Sequence, residues 1–136
     1  MQATANATTR IIDSDLLDHE GLMQRCMGNQ TLVEHLLHRY MDLVSNEIDS
    51  LETAVQGANQ QAVKQIAHRL KGTSATVGSN RTCALAAQVE QNSSTEDWAL
   101  LNSIVAEIRE VHTTVTDYYR DSHGPRHRMH KSGGDA

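Results

Sequence analysis

Seven residues, Val33, Leu37, Tyr40, Val44, Ile48, Leu51 and Val55, recur at steps of three and four along one unbroken stretch. Side chains spaced this way fall on a single stripe of an α-helix. The spacing predicts a helix from about Gln30 to Gln56. Thr31 with Glu34 fits a capping box at its start, with Asn29 as a competing cap. Gly57 is placed to end it in the left-handed conformation. The single proline, Pro125, lies far downstream, so nothing before it must break for want of an amide donor. There is no Phe, and aromatic residues are only 3 % of the chain, so the core must be built from Leu, Ile, Val, Ala and Met. That composition suits packed helices.

The flanking segments fit the same plan. A short helix is expected from Asp13 or Ser14 to Cys26, with Leu16, Leu17, Leu22 and Met23 as its apolar contacts. Asn59 can cap a further helix whose stripe is Val63, Ile66, Leu70, Thr73 or Ser74, and Val77, with Gly78 as its stop. Ser79 or Asn80 restarts a helix through Cys83, Leu85, Ala86 and Val89. The polar run Asn92-Ser93-Ser94-Thr95 follows, with Ser94 or Thr95 as the next cap. Trp98, Leu101, Val105, Ile108, His112, Val115 and Tyr119 form the last stripe. There is no internal repeat and no strand pattern. Two long and two shorter amphipathic helices on short polar loops predict an all-α fold, an antiparallel four-helix bundle with a short N-terminal covering helix. The bundle is expected over 13–120, between a flexible arm at 1–12 and a disordered His-rich basic tail at 121–136.

The formal net charge of −5 argues against a general nucleic-acid binder. The distribution is more telling: no Asp or Glu falls between Glu52 and Glu90, yet Lys64, Arg69, Lys71 and Arg81 do. A basic island in an acidic chain suits a locally acidic or phosphorylated partner, or is simply a solvated face. Cys26 and Cys83 have no metal-site spacing and are read as reduced, small hydrophobes. No apolar run approaches the roughly 20 residues of a membrane span, and no signal core opens the chain. A soluble cytoplasmic protein is expected, free-standing to judge by its start Met and polar ends.

Ala67-His68-Arg69-Leu70-Lys71-Gly72-Thr73-Ser74 carries the chemistry. His68 lies about 200° around the helical wheel from both Ile66 and Leu70, so it points away from the core. Lys71 and Gly72, three and four residues on, share its face. An imidazole with a reference pKa near 6.5 keeps a neutral nitrogen available as a nucleophile. No Ser–His–Asp arrangement accompanies it. The ring is suited to accept a phosphoryl group, whose transfer spreads negative charge over equatorial oxygens that Lys71 can offset. Gly72, a residue costing roughly 1 kcal/mol against Ala inside a helix, and Ala75 keep the approach open. Gln61, Lys64, Gln65 and Arg69 complete a docking face. An ordinary exposed histidine beside an ordinary lysine is the plain alternative, but it leaves Gly72 without a purpose.

This string, followed by Gly78, resembles the signature of histidine-containing phosphotransfer (HPt) domains: Ala-His-x-Leu-Lys-Gly-x-Ser or Ala, then Gly. The resemblance extends from about Asp13 to Tyr119, with Gly28-Asn29, Leu32 and Leu36-Leu37 upstream and Val89-Glu90 downstream. It departs from the family at Thr82, where Leu is common, and in lacking core Phe residues. It implies a four-helix bundle relaying phosphoryl groups between receiver domains, with His68 as phospho-acceptor and Lys71 beside the phosphoryl oxygens. Gly72 would let the receiver close in, and Glu90 would accept the Nδ1 proton and leave Nε2 to react. It also implies a carrier with no kinase or ATP site and no cofactor of its own. Response-regulator receiver domains and a hybrid histidine kinase would be its partners, the receiver supplying the phospho-aspartate and Mg²⁺. A monomer that binds neither nucleic acid nor membrane is expected.

Two other classes stand beside this one. A non-catalytic helical adaptor would bind a receiver, or another signalling protein, through the same face without taking phosphate. A metal-binding protein would use His123, His127 and His130, but their spacing lacks the second shell such sites need. No metal site is therefore expected. His112, on the last stripe, reads as a satisfied core imidazole, and Tyr40 and Trp98 as core residues.

Overall fold

The structure, a computed structural model, describes the backbone of residues 13–135 and the side chains of 13–120. Its helices are α1 (His19–Arg25), α2 (Gln30–Gln56), α3 (Gln60–Val77), α4 (Asn80–Asn92) and α5 (Trp98–Asp135), and the described residues contain no strand. Helices α2 to α5 form a closed ring in which each packs on its chain neighbours and α5 returns to α2. The links are short, so successive helices run antiparallel. Every residue of the α2 stripe is buried, from Val33 through Val55. Facing it are Val63, Leu70, Leu85, Val89, Leu101, Val105 and Ile108, and Trp98 is partly buried against this core. No helix among the described residues is long and apolar enough to cross a membrane.

The helix ends refine the sequence-based expectations. The first helix begins at His19, not at Asp13 or Ser14. The Asp13 carboxylate accepts from the Asp15 amide and its carbonyl closes a turn on Leu16 and Leu17. Asp18 then caps α1 by accepting from the Gly21 amide. For α2 the cap is Asn29, whose side chain accepts from the Leu32 amide at 3.1 Å. That starts the helix ahead of Thr31, so the Thr31–Glu34 box does not act as its cap. Gly57 has φ −86, and the left-handed residue is its neighbour Ala58, φ 53. Asn59 caps α3 as expected, and Gly78 ends it with φ 80. The cap of α5 is Asp97, which accepts from the Leu100 amide. Thr95 instead donates to the Asn92 carbonyl and accepts from the Asp97 amide.

The opening segment covers the end of the bundle where α3 turns into α4. Leu17 is buried, the Asp18 amide donates to the Gly78 carbonyl, and the Ser79 hydroxyl donates to the Leu16 carbonyl. The backbone of α5 continues as helix to Asp135, past the point where its stripe ends at Tyr119. An apolar stripe marks where a helix is packed, not where its backbone stops. The expected arm at 1–12 lies outside the described residues, as do the side chains of the expected tail, including His123, His127 and His130.

Thr82, where the family often has Leu, has a structural explanation. Tyr40 is the large ring at the centre of the α2 stripe, and its hydroxyl must be satisfied inside the core. Ser74 lies 3.4 Å from it, and Ser79 and Thr82 also direct side chains at it. Burial pushes the Tyr40 phenol up from its ordinary pKa. A leucine in place of Thr82 would leave that pocket one polar partner short.

Candidate functional site

His68 sits in the middle of α3, on the flank turned towards α4. Its side chain is 68 % exposed, and its Nδ1 donates to Glu90 Oε2 on α4 at 3.0 Å. The same carboxylate takes Lys71: Glu90 Oε1 accepts from the ammonium at 2.9 Å. Glu90 is the most enclosed of the three, with a side chain only 20 % exposed. The Lys71 ammonium holds its carboxyl below the ordinary carboxylate range, against an upward push from partial burial, and His68 adds a lesser lowering. With Nδ1 occupied, Nε2 makes no hydrogen bond among the described residues. One turn on, Gly72 is exposed, and a Cβ added there would meet nothing within 4 Å. The fold therefore sets no steric requirement for glycine at this position.

Gln61, Lys64, Gln65, Arg69, Gly72 and Ala75 are all exposed on the outer side of α3. They surround His68 as the helical spacing requires. Most of the basic island, however, is neutralised from neighbouring helices. Lys71 meets Glu90, Arg69 meets Glu47 on α2 at 3.3 Å, and Arg81 meets Glu107 on α5 and Asp15 in the opening segment. Lys64 alone of the four has no ion pair among the described residues.

An apolar flank on α2 escapes the stripe analysis. Leu32, Leu36 and Leu43 are 36–47 % exposed, about a quarter-turn from the buried stripe. Arg69–Glu47 and Ser74–Tyr40 fix the antiparallel register of α3 on α2, which sets Leu43 level with Gly72. On the other side of the Arg69–Glu47 pair, a shallow groove floored by Ala54, Ala62 and Ile66 separates the end of α2 from the start of α3. The exposed face of α2 and α3 thus combines leucines, an ion pair and a glycine beside the open imidazole. Repetition of leucine at positions 32, 36 and 43 was the available sequence signal.

Two further histidines are held in contacts between helices. His112 is buried, with Nε2 2.9 Å from the Ser45 hydroxyl and its ring edge-on to Tyr40. His19 Nδ1 lies 2.7 Å from the Tyr119 hydroxyl and ties α1 to α5. Cys26 is buried, Cys83 half-buried, and both are free. No cluster of three or more His, Cys, Asp or Glu suited to a metal ion occurs among the described residues.

Comparison with known proteins bears on the family and the fold. A protein-family model described as "Hpt domain" matches residues 35–115. Histidine-containing phosphotransfer protein B of Pseudomonas aeruginosa PAO1 has a similar solved structure, with a TM-score of 0.72 at 17 % identity, covering 81 % of this chain and 96 % of that one. So does the HPT domain of a sensor hybrid histidine kinase from Shewanella, with a TM-score of 0.68 at 18 % identity, covering 83 % and 97 %. No curated protein matches the sequence.

Proposed function

Because this chain belongs to the Hpt domain family, and so carries phosphoryl groups on histidine between receiver domains in two-component phosphorelays, we propose that His68 is the residue that carries them here. One observation carries the assignment: an exposed ring whose Nδ1 is tied to Glu90, leaving Nε2 open beside an uncrowded Gly72. In the transfer, the lone pair of Nε2 attacks the phosphorus of a receiver's aspartyl phosphate in line with the leaving oxygen. The N–P bond forms as the O–P bond breaks, and the electron pair leaves with the receiver's carboxylate. The Nδ1 proton stays where it is. The ring gains positive charge, and a carboxylate 3.0 Å away stabilises it more than water would. Lys71 lies one turn from the acceptor, where it can reach the phosphoryl oxygens and offset their charge.

The docking surface follows from the same geometry. A receiver would settle over Gly72 and Ala75, with Gln61, Lys64, Gln65 and Arg69 at its edge and Leu43 and Leu36 beneath its apolar part. An aromatic-poor but leucine-bearing patch rimmed by polar groups suits a transient interface. The partners are response-regulator receivers and a hybrid histidine kinase; the Shewanella neighbour is itself a domain of such a kinase. Mg²⁺ belongs to the receiver, the carrier needs no cofactor or ATP site of its own, and it works as a cytoplasmic monomer.

The test is incubation with phosphorylated receivers from a purified panel. A mass gain of one acid-labile phosphoryl group is expected, present in the wild type and absent in His68→Gln. Equal labelling of His68→Gln removes His68 as the acceptor. Receiver binding that survives in His68→Ala, with no donor labelling the wild type, makes the chain an adaptor.

A further inference from the structure

The two oxygens of Glu90 serve two masters, since Oε2 holds the ring of His68 and Oε1 holds the ammonium of Lys71. In the resting chain the cation meant for the phosphoryl group is already engaged. We propose that phosphorylation of His68 hands Lys71 over from Glu90 to the phosphoryl oxygens, while Glu90 keeps its other oxygen on Nδ1. This rests on His68 being the acceptor.

Three features of the site support the exchange. Nδ1 and Nε2 are on different edges of the ring, so a phosphoryl group on Nε2 does not displace the Glu90 hydrogen bond. Lys71 is the mobile partner: its side chain is 37 % exposed on a flexible four-carbon stem, against 20 % for Glu90. It also shares a helical face with His68, three residues away, where a small swing of the stem reaches the acceptor. A phosphoryl group brings about two negative charges, against one on the carboxylate, and so competes well for the ammonium. The exchange moves one cation and no proton, and it makes the lysine available once the phosphoryl group arrives.

The neighbouring arginines do not supply this cation. Arg69 is held by Glu47, and Arg81 by Glu107 and Asp15. Lys64, one turn before His68, is exposed and has no ion pair among the described residues, so its approach to the phosphoryl group would break no pair and would leave the Lys71–Glu90 contact unchanged.

The experiment needs no natural partner. The whole chain is loaded with phosphoramidate, in which the P–N bond of the reagent breaks, the N–P bond to His68 forms and ammonia leaves with a solvent proton. The ammonium resonances of Lys71 are then followed by NMR in wild type and in Glu90→Gln, each resting and loaded. Glutamine still accepts from Nδ1 through its amide oxygen but no longer holds the ammonium by charge. Glu90→Gln should displace the Lys71 signals in the resting chain, and that displacement should largely vanish after loading. Loading should itself shift the Lys71 signals, and the ³¹P resonance should respond to Lys71→Met. An equal displacement by Glu90→Gln before and after loading means that Lys71 never leaves the carboxylate, and overturns the exchange. Failure to load His68 at all is a separate result, and counts against the acceptor assignment instead.

Discussion

A Cβ built on Gly72 meets nothing within 4 Å, whereas one built on Gly78 lies 3.1 Å from the Cβ of Asp18 on a backbone with φ 80. The two glycines of one helix therefore answer to different demands. At Gly78 both the left-handed conformation and the close approach of the opening segment require the missing side chain. Gly78→Ala should cost about 1–2 kcal/mol, the penalty of a left-handed L-residue, read as a lower midpoint of chemical unfolding. At Gly72 the helix would gain from a side chain: Gly72→Ala should raise stability by roughly 0.5–1 kcal/mol. The larger Gly72→Gln should stay folded yet accept phosphate from a receiver far more slowly, because the side chain stands where the partner closes in. Loading by phosphoramidate, a reagent small enough to pass it, should be nearly unaffected. Slowing of both reactions alike would place the defect in the histidine rather than in docking.

At the scale of helices, the leucines on the flank of α2 invite a comparable separation of stability from function. Leu36 and Leu43 are partly exposed, so Leu36→Ser and Leu43→Ser should each cost only about 1 kcal/mol of stability, less than a core leucine. Each should weaken receiver binding by about 1 kcal/mol, measured by titration calorimetry against a receiver that phosphorylates the wild type. Wild-type affinity in the double variant would move the docking surface off α2. These residues also show where sequence reasoning stopped. The stripes of α2, α3, α4 and α5 were legible because burial repeats with the helical period. A leucine beside the stripe carries no such mark, since exposed leucines are ordinary. Caps were legible only in part: Asn59 and Gly78 stood alone, Asn29 had Thr31 as a rival, and the cap of α5 was read as Ser94 or Thr95 where the structure uses Asp97. Least legible were the partners of the cations. Glu47, Glu90 and Glu107 lie 22 to 26 residues from Arg69, His68 and Arg81. Only the folded ring brings them across, so an apparent basic island became a set of paired charges. Glu90 entered through family resemblance, not through spacing.

For the molecule as a whole, buried titratable side chains make stability depend on pH from both sides. Burial pushes the phenols of Tyr40 and Tyr119 above their ordinary pKa of 10.0. The unfolded chain therefore loses these protons first, and stability should fall as pH rises past about 10. On the acid side the responsible group is His112, enclosed between α2 and α5 against Ser45 and Tyr40. Burial, with a smaller contribution from the nearby Arg109 guanidinium, holds its imidazole below the ordinary 6.5, opposed by a hydrogen bond to the Met41 backbone. Above that value neither state binds the proton and His112 adds no pH dependence. Below it the unfolded chain takes the proton while the folded chain does not, so stability declines until pH reaches the depressed folded value. The slope in that window is at most about 1.4 kcal/mol per pH unit for one proton. Arg109 adds no slope here, since its pairs with Asp49 and Glu52 raise a pKa already far above the window. The carboxyl of Glu90, also lowered, contributes in the same sense only further down, as pH falls below its ordinary 4.5. Melting temperatures from pH 8 to pH 5 should thus fall more steeply in wild type than in His112→Gln, which cannot titrate there. Parallel curves would mean that the acid sensitivity of the bundle arises elsewhere than at the α2–α5 seam.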